Sequence, residues 1–191
     1  MSIGTEIRMR VFISGGCKNG KSYYAQRLAK EQEDGKGLYY VATMAPVDSE
    51  DKERIRKHQE EREGWGFTTI ELEKNISDIL ENCNHEGSFL LDSLTALLGN
   101  EMFLQDGSVD REAYERIGKE LLEVLDQVQN IVIVSDYMYS DAFVYEPLTE
   151  MYRKHLATLD TLMAKHCDVV LETTYNQIVV HKGEGIQRYS S

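Results

Sequence analysis

The residues of this chain best suited to chemistry form a glycine-rich loop near its N-terminus. Eight residues fit the pattern G-x-x-x-x-G-K-[ST] at every fixed position: Gly15, Gly16, Cys17, Lys18, Asn19, Gly20, Lys21 and Ser22. Glycines let the backbone curl so that its N–H groups point at phosphate oxygens. The lysine of this pattern reaches the β- and γ-phosphates, and the hydroxyl after it holds Mg²⁺. The loop therefore predicts binding of a nucleoside triphosphate, with Lys21 catalytic and Ser22 a metal ligand.

The flanks of the loop have the periodicity that a phosphate-binding loop needs. Residues 9–13 form an alternating apolar run typical of a buried strand, and apolar residues recur at helical spacing over 22–29. A helix that starts at the loop adds its partial positive charge to the phosphate site. A glycine-rich strand–helix turn that binds nothing is the structural alternative.

A second candidate for catalysis is Asp92, which follows the apolar run Phe89-Leu90-Leu91. A carboxylate at the end of a buried strand is the Walker-B arrangement that organises Mg²⁺ beside the phosphates. We therefore expect Asp92 to be catalytic and to share the metal with Ser22.

Composition limits the classes of protein to which the chain can belong. Its 191 residues suffice for one substantial core, so we expect a single nucleotide-binding domain over 1–191. Lys and Arg total 21 against 33 acids, a net charge of −12, which argues against a nucleic-acid-binding surface. No apolar run approaches the ~20 residues of a membrane span, no signal peptide is evident, and the three cysteines are widely spaced. These features predict a cytoplasmic protein.

Strand and helix patterns alternate along the chain. Strands are predicted at 38–43, 67–72, 88–92 and 131–135, with helices after the glycine loop, after Asp92, over 110–128 and over 147–165. Residues 169–171 and 178–180 read as two further strands, paired as a hairpin around Tyr175-Asn176. The pattern predicts an α/β fold with a mainly parallel sheet, flanking helices and a C-terminal strand pair.

Two segments stand apart from this pattern. The predicted helix at 48–63 has Ile55 as its only large aliphatic residue, so it cannot bury an apolar stripe. Charge pairs such as Glu50–Arg54 and Glu53–Lys57 support it instead, and we expect an arm that is solvated or packed against another subunit. Residues 136–146 form a tyrosine-rich connection at the end of a central strand, where ligands bind in open α/β sheets.

These motifs together resemble the bifunctional adenosylcobinamide kinase / adenosylcobinamide-phosphate guanylyltransferase family of cobalamin biosynthesis. The glycine loop resembles the family's G-G-x-x-S-G-K-S, and residues 40–43 its Y-I-A-T. Residues 90–95, followed by Asn100, resemble its L-L-[DE]-x-[LI]-T segment. The family's pattern D-x-E-x-x-x-R-I-x-x-H-x-x-x-R is matched by six residues: Asp48, Glu50, Arg54, Ile55, His58 and Arg62.

The resemblance implies a P-loop NTPase-like, RecA-like fold and a trimer with helices meeting at subunit interfaces. It implies that His58 attacks the α-phosphorus of GTP, expels pyrophosphate and carries GMP as a phosphoramidate. Adenosylcobinamide phosphate would then take up the GMP, after a kinase step that uses GTP or ATP. Beyond the loop and Asp92, the nucleotide contacts that we expect are Thr43, Arg54, Arg62 and Glu71.

The second half of the chain departs from the family. Residues 136–146 lack the glycines of N-E-V-G-x-G-[IV]-V-P, and 157–160 replace part of G-R-V-N-Q. The acceptor and the retention of both activities therefore stay open, and we expect the acceptor to bind at 136–146. A kinase of another alcohol, which needs no His58, and a non-catalytic nucleotide-binding module are the alternatives. The remaining histidines are expected to be structural or solvated: His85, His155, His166 and His181.

Overall fold

The computed structural model describes residues 8–46, 53, 56, 59–60, 62–139 and 141–183. Its strands are β1 Met9–Gly15, β2 Leu38–Ala42, β3 Thr68–Glu71, β4 Ser88–Asp92, β5 Asn130–Asp136, β6 Val169–Thr174 and β7 Gln177–Lys182. Its helices are α1 Lys21–Gln32, α2 Ile79–Asn82, α3 Leu94–Met102, α4 Ala113–Gln127 and α5 Pro147–His166, with a 3-10 turn at Ile76–Asp78.

The strands form one sheet in the order β3-β2-β4-β5-β1-β6-β7. Every neighbouring pair is parallel except β6 and β7, which form an antiparallel hairpin. Tyr175 and Asn176 make its turn with φ of 50° and 57°, the left-handed geometry of a tight hairpin turn. The mainly parallel sheet and the C-terminal strand pair are confirmed.

Helices cover both faces of the sheet, and the alternation of side chains along each strand divides the core in two. On β1, Val11 and Ile13 pack with α1, whereas Phe12 packs with α3, α4 and α5 on the other face. Because β4 and β5 are buried on both faces, they read as continuous apolar runs. Two layers of helices thus hold the carboxyl ends of the strands at one edge.

Two predicted helices differ in extent. The helix predicted over 110–128 begins at Ala113, because the Asp110 carboxylate accepts the Glu112 N–H and residues 111 and 112 form a turn. In the segment predicted as a charged helix over 48–63, residues 53, 56, 59 and 60 are helical. Arg56 pairs there with Glu53 and Glu60, three and four residues away. Asp48, Glu50, Arg54, Ile55 and Lys57 lie outside the described residues.

The helices in the described ranges do not meet the requirements for a membrane span. None of them combines the length and the apolar character that crossing a bilayer requires.

Candidate active site

The glycine loop joins β1 to α1, as the sequence predicts. Gly20 has a φ of 78°, a left-handed conformation that glycine adopts without strain, and α1 begins at the next residue. At the other end of the loop, Gly15 packs so closely on β6 that a Cβ would lie 2.6 Å from the Thr173 carbonyl oxygen. Asn19 donates from Nδ2 to the same oxygen at 3.4 Å. The loop therefore packs against β6, and the N-terminus of α1, where anions bind favourably, lies at its other end.

The Lys21 side chain is folded into the loop and only 5% exposed. Its Nζ donates to the Gly16 carbonyl oxygen at 2.6 Å and forms an ion pair with Asp136 Oδ1 at 2.6 Å. Asp136 ends β5 and lies opposite Gly15 in the parallel register, and its N–H donates to Thr95 Oγ1 at 2.8 Å. Sequence reasoning assigned Asp136 only to the acceptor connection. Its position at the end of a central strand, like that of Asp92, was the available signal.

Asp92 ends β4, which is separated from β1 by β5 alone. The Tyr40 hydroxyl donates to Asp92 Oδ2 at 2.8 Å, and the Arg62 guanidinium stacks on the Tyr40 ring, 3.6 Å from its centroid. Burial raises the pKa of Tyr40, and the Asp92 charge raises it further, so the hydroxyl stays protonated as a donor. Tyr40 therefore orients the Asp92 carboxylate. Sequence reasoning missed this role because it depends on a contact between neighbouring strands.

The predicted metal ligands have suitable chemistry for Mg²⁺. Ser22 is half-buried in the first turn of α1, and Asp92 is half-buried at the same edge of the sheet. Mg²⁺ is usually held by one or two protein oxygens together with waters and substrate phosphates. Among the described residues no group of three or more His, Cys, Asp or Glu could hold a metal, so substrate oxygens would have to complete the shell.

Thr43, expected to contact nucleotide, is fully buried beside Asp92. Its hydroxyl donates to the Ser93 carbonyl oxygen and accepts the Ser93 N–H, both at 2.7 Å. Asn100 Nδ2 donates to the Thr43 carbonyl oxygen at 2.6 Å. Thr43 thus fixes the backbone that follows Asp92, and its nucleotide contact stays a prediction.

The remaining predicted nucleotide contacts lie around the charged segment. Arg62 is 7% exposed and, with Arg56, Gln59 and Thr69, helps to line a pocket of about 560 Å³. Glu71 is exposed at the end of β3, next to β2. His58 and Arg54 lie outside the described residues, so their approach to this pocket stays a prediction.

Of residues 137–146, where we expected the acceptor, those that the structure describes have no regular structure, and one arginine of α5 contacts several of them. Arg153 is 6% exposed, and it donates to the carbonyl oxygens of Met138 and Phe143 at 2.9 and 3.3 Å. It also pairs with Asp141 and Glu150 at 2.8 and 2.7 Å. Tyr137 and Tyr139 from this connection line a second pocket, of about 400 Å³, between the sheet and α5.

Three of the four remaining histidines have structural or solvated surroundings. His85 Nε2 bonds to the Leu80 carbonyl oxygen at 2.6 Å, His155 stacks on Tyr114, and His166 is exposed at the end of α5. His181 differs, since it lines the second pocket and its Nε2 lies 2.8 Å from Glu172 Oε2.

Similarity to solved structures supports the fold. The flagellar accessory protein FlaH from Methanocaldococcus jannaschii superposes with a TM-score of 0.51 at 14% identity, covering 91% of this chain and 77% of FlaH. A KaiC-like protein from Pyrococcus horikoshii gives a TM-score of 0.50 at 13% identity, covering 91% and 78% of the two chains. The predicted P-loop NTPase-like fold is confirmed.

Sequence relatives identify the family. The bifunctional adenosylcobalamin biosynthesis protein CobP of Pseudomonas aeruginosa is 30% identical over 181 residues, which cover 92% of this chain and 99% of CobP. The corresponding CobU of Escherichia coli is 28% identical over 109 residues, 56% of this chain and 58% of CobU. The family model described as cobinamide kinase / cobinamide phosphate guanyltransferase matches residues 11–177, and this chain belongs to that family of enzymes.

Proposed function

We propose that this enzyme phosphorylates adenosylcobinamide and then transfers GMP from GTP to the adenosylcobinamide phosphate through a histidine–GMP intermediate. The family match supports both activities. One observation carries the nucleotide half of the proposal. Lys21 and Ser22, at the start of α1, share one edge of the sheet with Asp92, at the end of β4.

The kinase step needs positioning and charge stabilisation more than covalent chemistry. The acceptor alcohol attacks the γ-phosphorus of ATP or GTP and gives up its proton to solvent. The bond from the γ-phosphorus to the β,γ-bridging oxygen breaks, and the nucleoside diphosphate leaves. The loop N–H groups and the Lys21 ammonium stabilise the charge that develops on the phosphate oxygens. Mg²⁺, held by Ser22 and Asp92, would add charge neutralisation between the β- and γ-phosphates.

In the guanylyl step we assign the nucleophile to His58. Its neutral imidazole forms an N–P bond to the α-phosphorus as pyrophosphate leaves, and the acceptor phosphate later displaces the imidazole. Arg54 and Arg62 are placed one turn to either side of His58 by the spacing of the helix. Two guanidiniums there would hold the α-phosphate during attack. The pocket beside this segment, which Arg56 and Arg62 line together with Glu60 and Glu63, supports this assignment by placing two guanidiniums there.

Location and assembly complete the proposal. We assign the enzyme to the cytoplasm and expect a homotrimer in which the charged segment packs against a neighbouring subunit. Support comes from the sequence of that segment, whose single large aliphatic residue gives it little reason to pack on its own core.

Separate assays of the two steps test the proposal. With adenosylcobinamide and ATP or GTP, the wild type should form the phosphate ester and then, with GTP, the GDP-linked product. Lys21→Ala should lose both steps, whereas Lys119→Ala, an exposed charge on α4, should retain both. His58→Ala should retain only the first. A His58→Ala protein that forms the GDP-linked product at the wild-type rate would rule out the proposed histidine–GMP intermediate.

A further inference from the structure

The pocket between the sheet and α5, here called the α5 pocket, lies outside the phosphate site. It measures about 400 Å³ and has Phe12, Ala164 and Val170 among its apolar lining residues. Its polar side chains are Ser14, Tyr137, Tyr139, Asp160, Thr161, Glu172 and His181. Side chains of both kinds suit an organic ligand with an apolar body and a few polar groups.

The most informative group in the α5 pocket is Asp160, which is 4% exposed. Its Oδ2 accepts the Tyr139 hydroxyl at 2.7 Å, while Oδ1 has no hydrogen-bond partner among the described residues. Burial, with a smaller contribution from the Asp136 charge, raises the pKa of Asp160 to about 6, although hydrogen bonds from the Ser135 and Tyr139 side chains act to lower it. A buried carboxyl oxygen without a partner is costly, and a ligand that donates a hydrogen bond would offset that cost.

A second acceptor lies across the pocket. Glu172 Oε1 accepts the Tyr137 hydroxyl at 3.2 Å, and Oε2 contacts His181 Nε2 at 2.8 Å. No lysine or arginine lines the pocket in the part of the chain that the structure describes. The two carboxylates therefore disfavour a phosphate or another anion and favour a ligand without negative charge that is rich in N–H and O–H donors.

The α5 pocket adjoins the phosphate site through two strands. Ser14 lies directly before Gly15 of the phosphate loop, and Tyr137 lies directly after Asp136, whose carboxylate contacts Lys21. A ligand that contacts Ser14 and Tyr137 would thus touch the immediate neighbours of Gly15 and Asp136.

We propose that the α5 pocket binds the amide-bearing, unphosphorylated part of the corrinoid acceptor. Cobinamide carries its side chains as primary amides, which supply N–H donors for Asp160 and Glu172, while its apolar ring edge packs on Phe12 and Val170. This inference rests on the proposed function, and it assigns the acceptor to a site distinct from that of the nucleotide.

Binding can be tested without turnover because cobinamide absorbs visible light. We would titrate the full chain with cobinamide in the absence of nucleotide and follow the spectral change. Asp160→Asn turns an acceptor into a donor towards the ligand and should weaken binding about tenfold or more. Tyr139→Phe, which releases Asp160, and Tyr137→Phe, which releases Glu172, should each weaken it several-fold.

The control is Tyr114→Phe, which also removes a tyrosine hydroxyl that donates to a carboxylate, in this case Glu115 at 3.0 Å. It should bind cobinamide as the wild type does. Labelling of each variant with GMP from GTP, which needs no acceptor, should be normal and shows that the proteins are folded.

If Asp160→Asn and both tyrosine variants bind cobinamide with unchanged affinity, the α5 pocket is not the cobinamide site. The proposed function would still stand. A wild type that labels with GMP but binds no cobinamide would overturn the corrinoid assignment and with it the pocket. If the wild type is not labelled with GMP, the nucleotide chemistry is contradicted instead. The cobinamide titration would still show whether the α5 pocket binds the corrinoid.

Discussion

At the scale of single residues, Asp136 competes with the nucleotide for the ammonium of Lys21. Asp136 holds it at 2.6 Å, and in the proposed function Lys21 exchanges this carboxylate for phosphate oxygens when a triphosphate binds. The ion pair both shields a buried ammonium and opposes the binding of an anion.

Removing that charge should strengthen nucleotide binding. We expect Asp136→Asn to bind GTP several-fold more tightly, because Lys21 no longer has to leave a carboxylate and phosphate meets less repulsion. Isothermal titration measures the change, with Asp34→Asn as an exposed control of equal charge. Weaker or unchanged GTP binding in Asp136→Asn would show that Asp136 does not compete for Lys21.

Tyr40 acts on the nucleotide site through Asp92. Tyr40→Phe keeps the ring on which Arg62 stacks and removes only the hydroxyl that donates to Asp92. We expect the Mg²⁺ concentration for half-maximal kinase activity to rise roughly tenfold while the melting temperature changes little. Tyr39→Phe, on the same strand with its hydroxyl bonded to the Asn84 N–H, is the matched control. An unaltered Mg²⁺ requirement in Tyr40→Phe would argue against the orienting role.

At the scale of elements, α5 organises the connection that follows β5. Arg153 contacts Met138, Asp141, Phe143 and Tyr145 of the connection and Glu150 in the first turn of α5, so it links the two. Contacts from α5 thus help to fix the conformation of this connection. The connection in turn supplies Tyr137 and Tyr139 to the α5 pocket.

Arg153→Met should loosen this connection without unfolding the domain. Hydrogen exchange of the amides of residues 137–146 should become at least tenfold faster, because both carbonyl contacts and both ion pairs are lost. The amides of β4 and β5 should keep their protection. If exchange over 137–146 matches that of the wild type, the connection is held by contacts other than Arg153.

At the scale of the whole molecule, Asp160 makes stability depend on pH. Its pKa is about 6 in the folded protein against an ordinary 3.8, so between these values the unfolded chain gives up a proton that the folded chain retains. The free energy of unfolding should therefore fall by about 3 kcal/mol from this group as pH rises from about 3 to about 7, with about 2 kcal/mol of the fall between pH 4 and 6.

Asp160→Asn should remove this dependence. The variant should be more stable than the wild type at pH 7.5, and the difference should vanish below about pH 4. Urea denaturation at several pH values measures it, with Asp126→Asn, an exposed carboxylate on α4, as the control. A wild type at least as stable as Asp160→Asn at pH 7.5 would contradict the assignment of a strained carboxyl.

The sequence predicted most of the fold because its signals are local. The glycine loop, the apolar runs of β4 and β5 and the Tyr175-Asn176 turn each define their element within a few residues. The contacts of Tyr40 with Asp92, Lys21 with Asp136 and Tyr139 with Asp160 join residues 21 to 115 positions apart. No periodicity encodes such pairs, so the α5 pocket and the orienting groups could be recognised only in three dimensions.

The most direct test of the proposed activity is the mass of the protein after incubation with Mg²⁺ and GTP. The wild type should gain the mass of one GMP on His58, as an adduct stable in alkali and lost in acid, as a phosphoramidate is. His58→Ala should gain nothing while it still phosphorylates adenosylcobinamide. An unmodified wild type, or a His58→Ala protein modified to the same extent, would contradict the histidine–GMP mechanism.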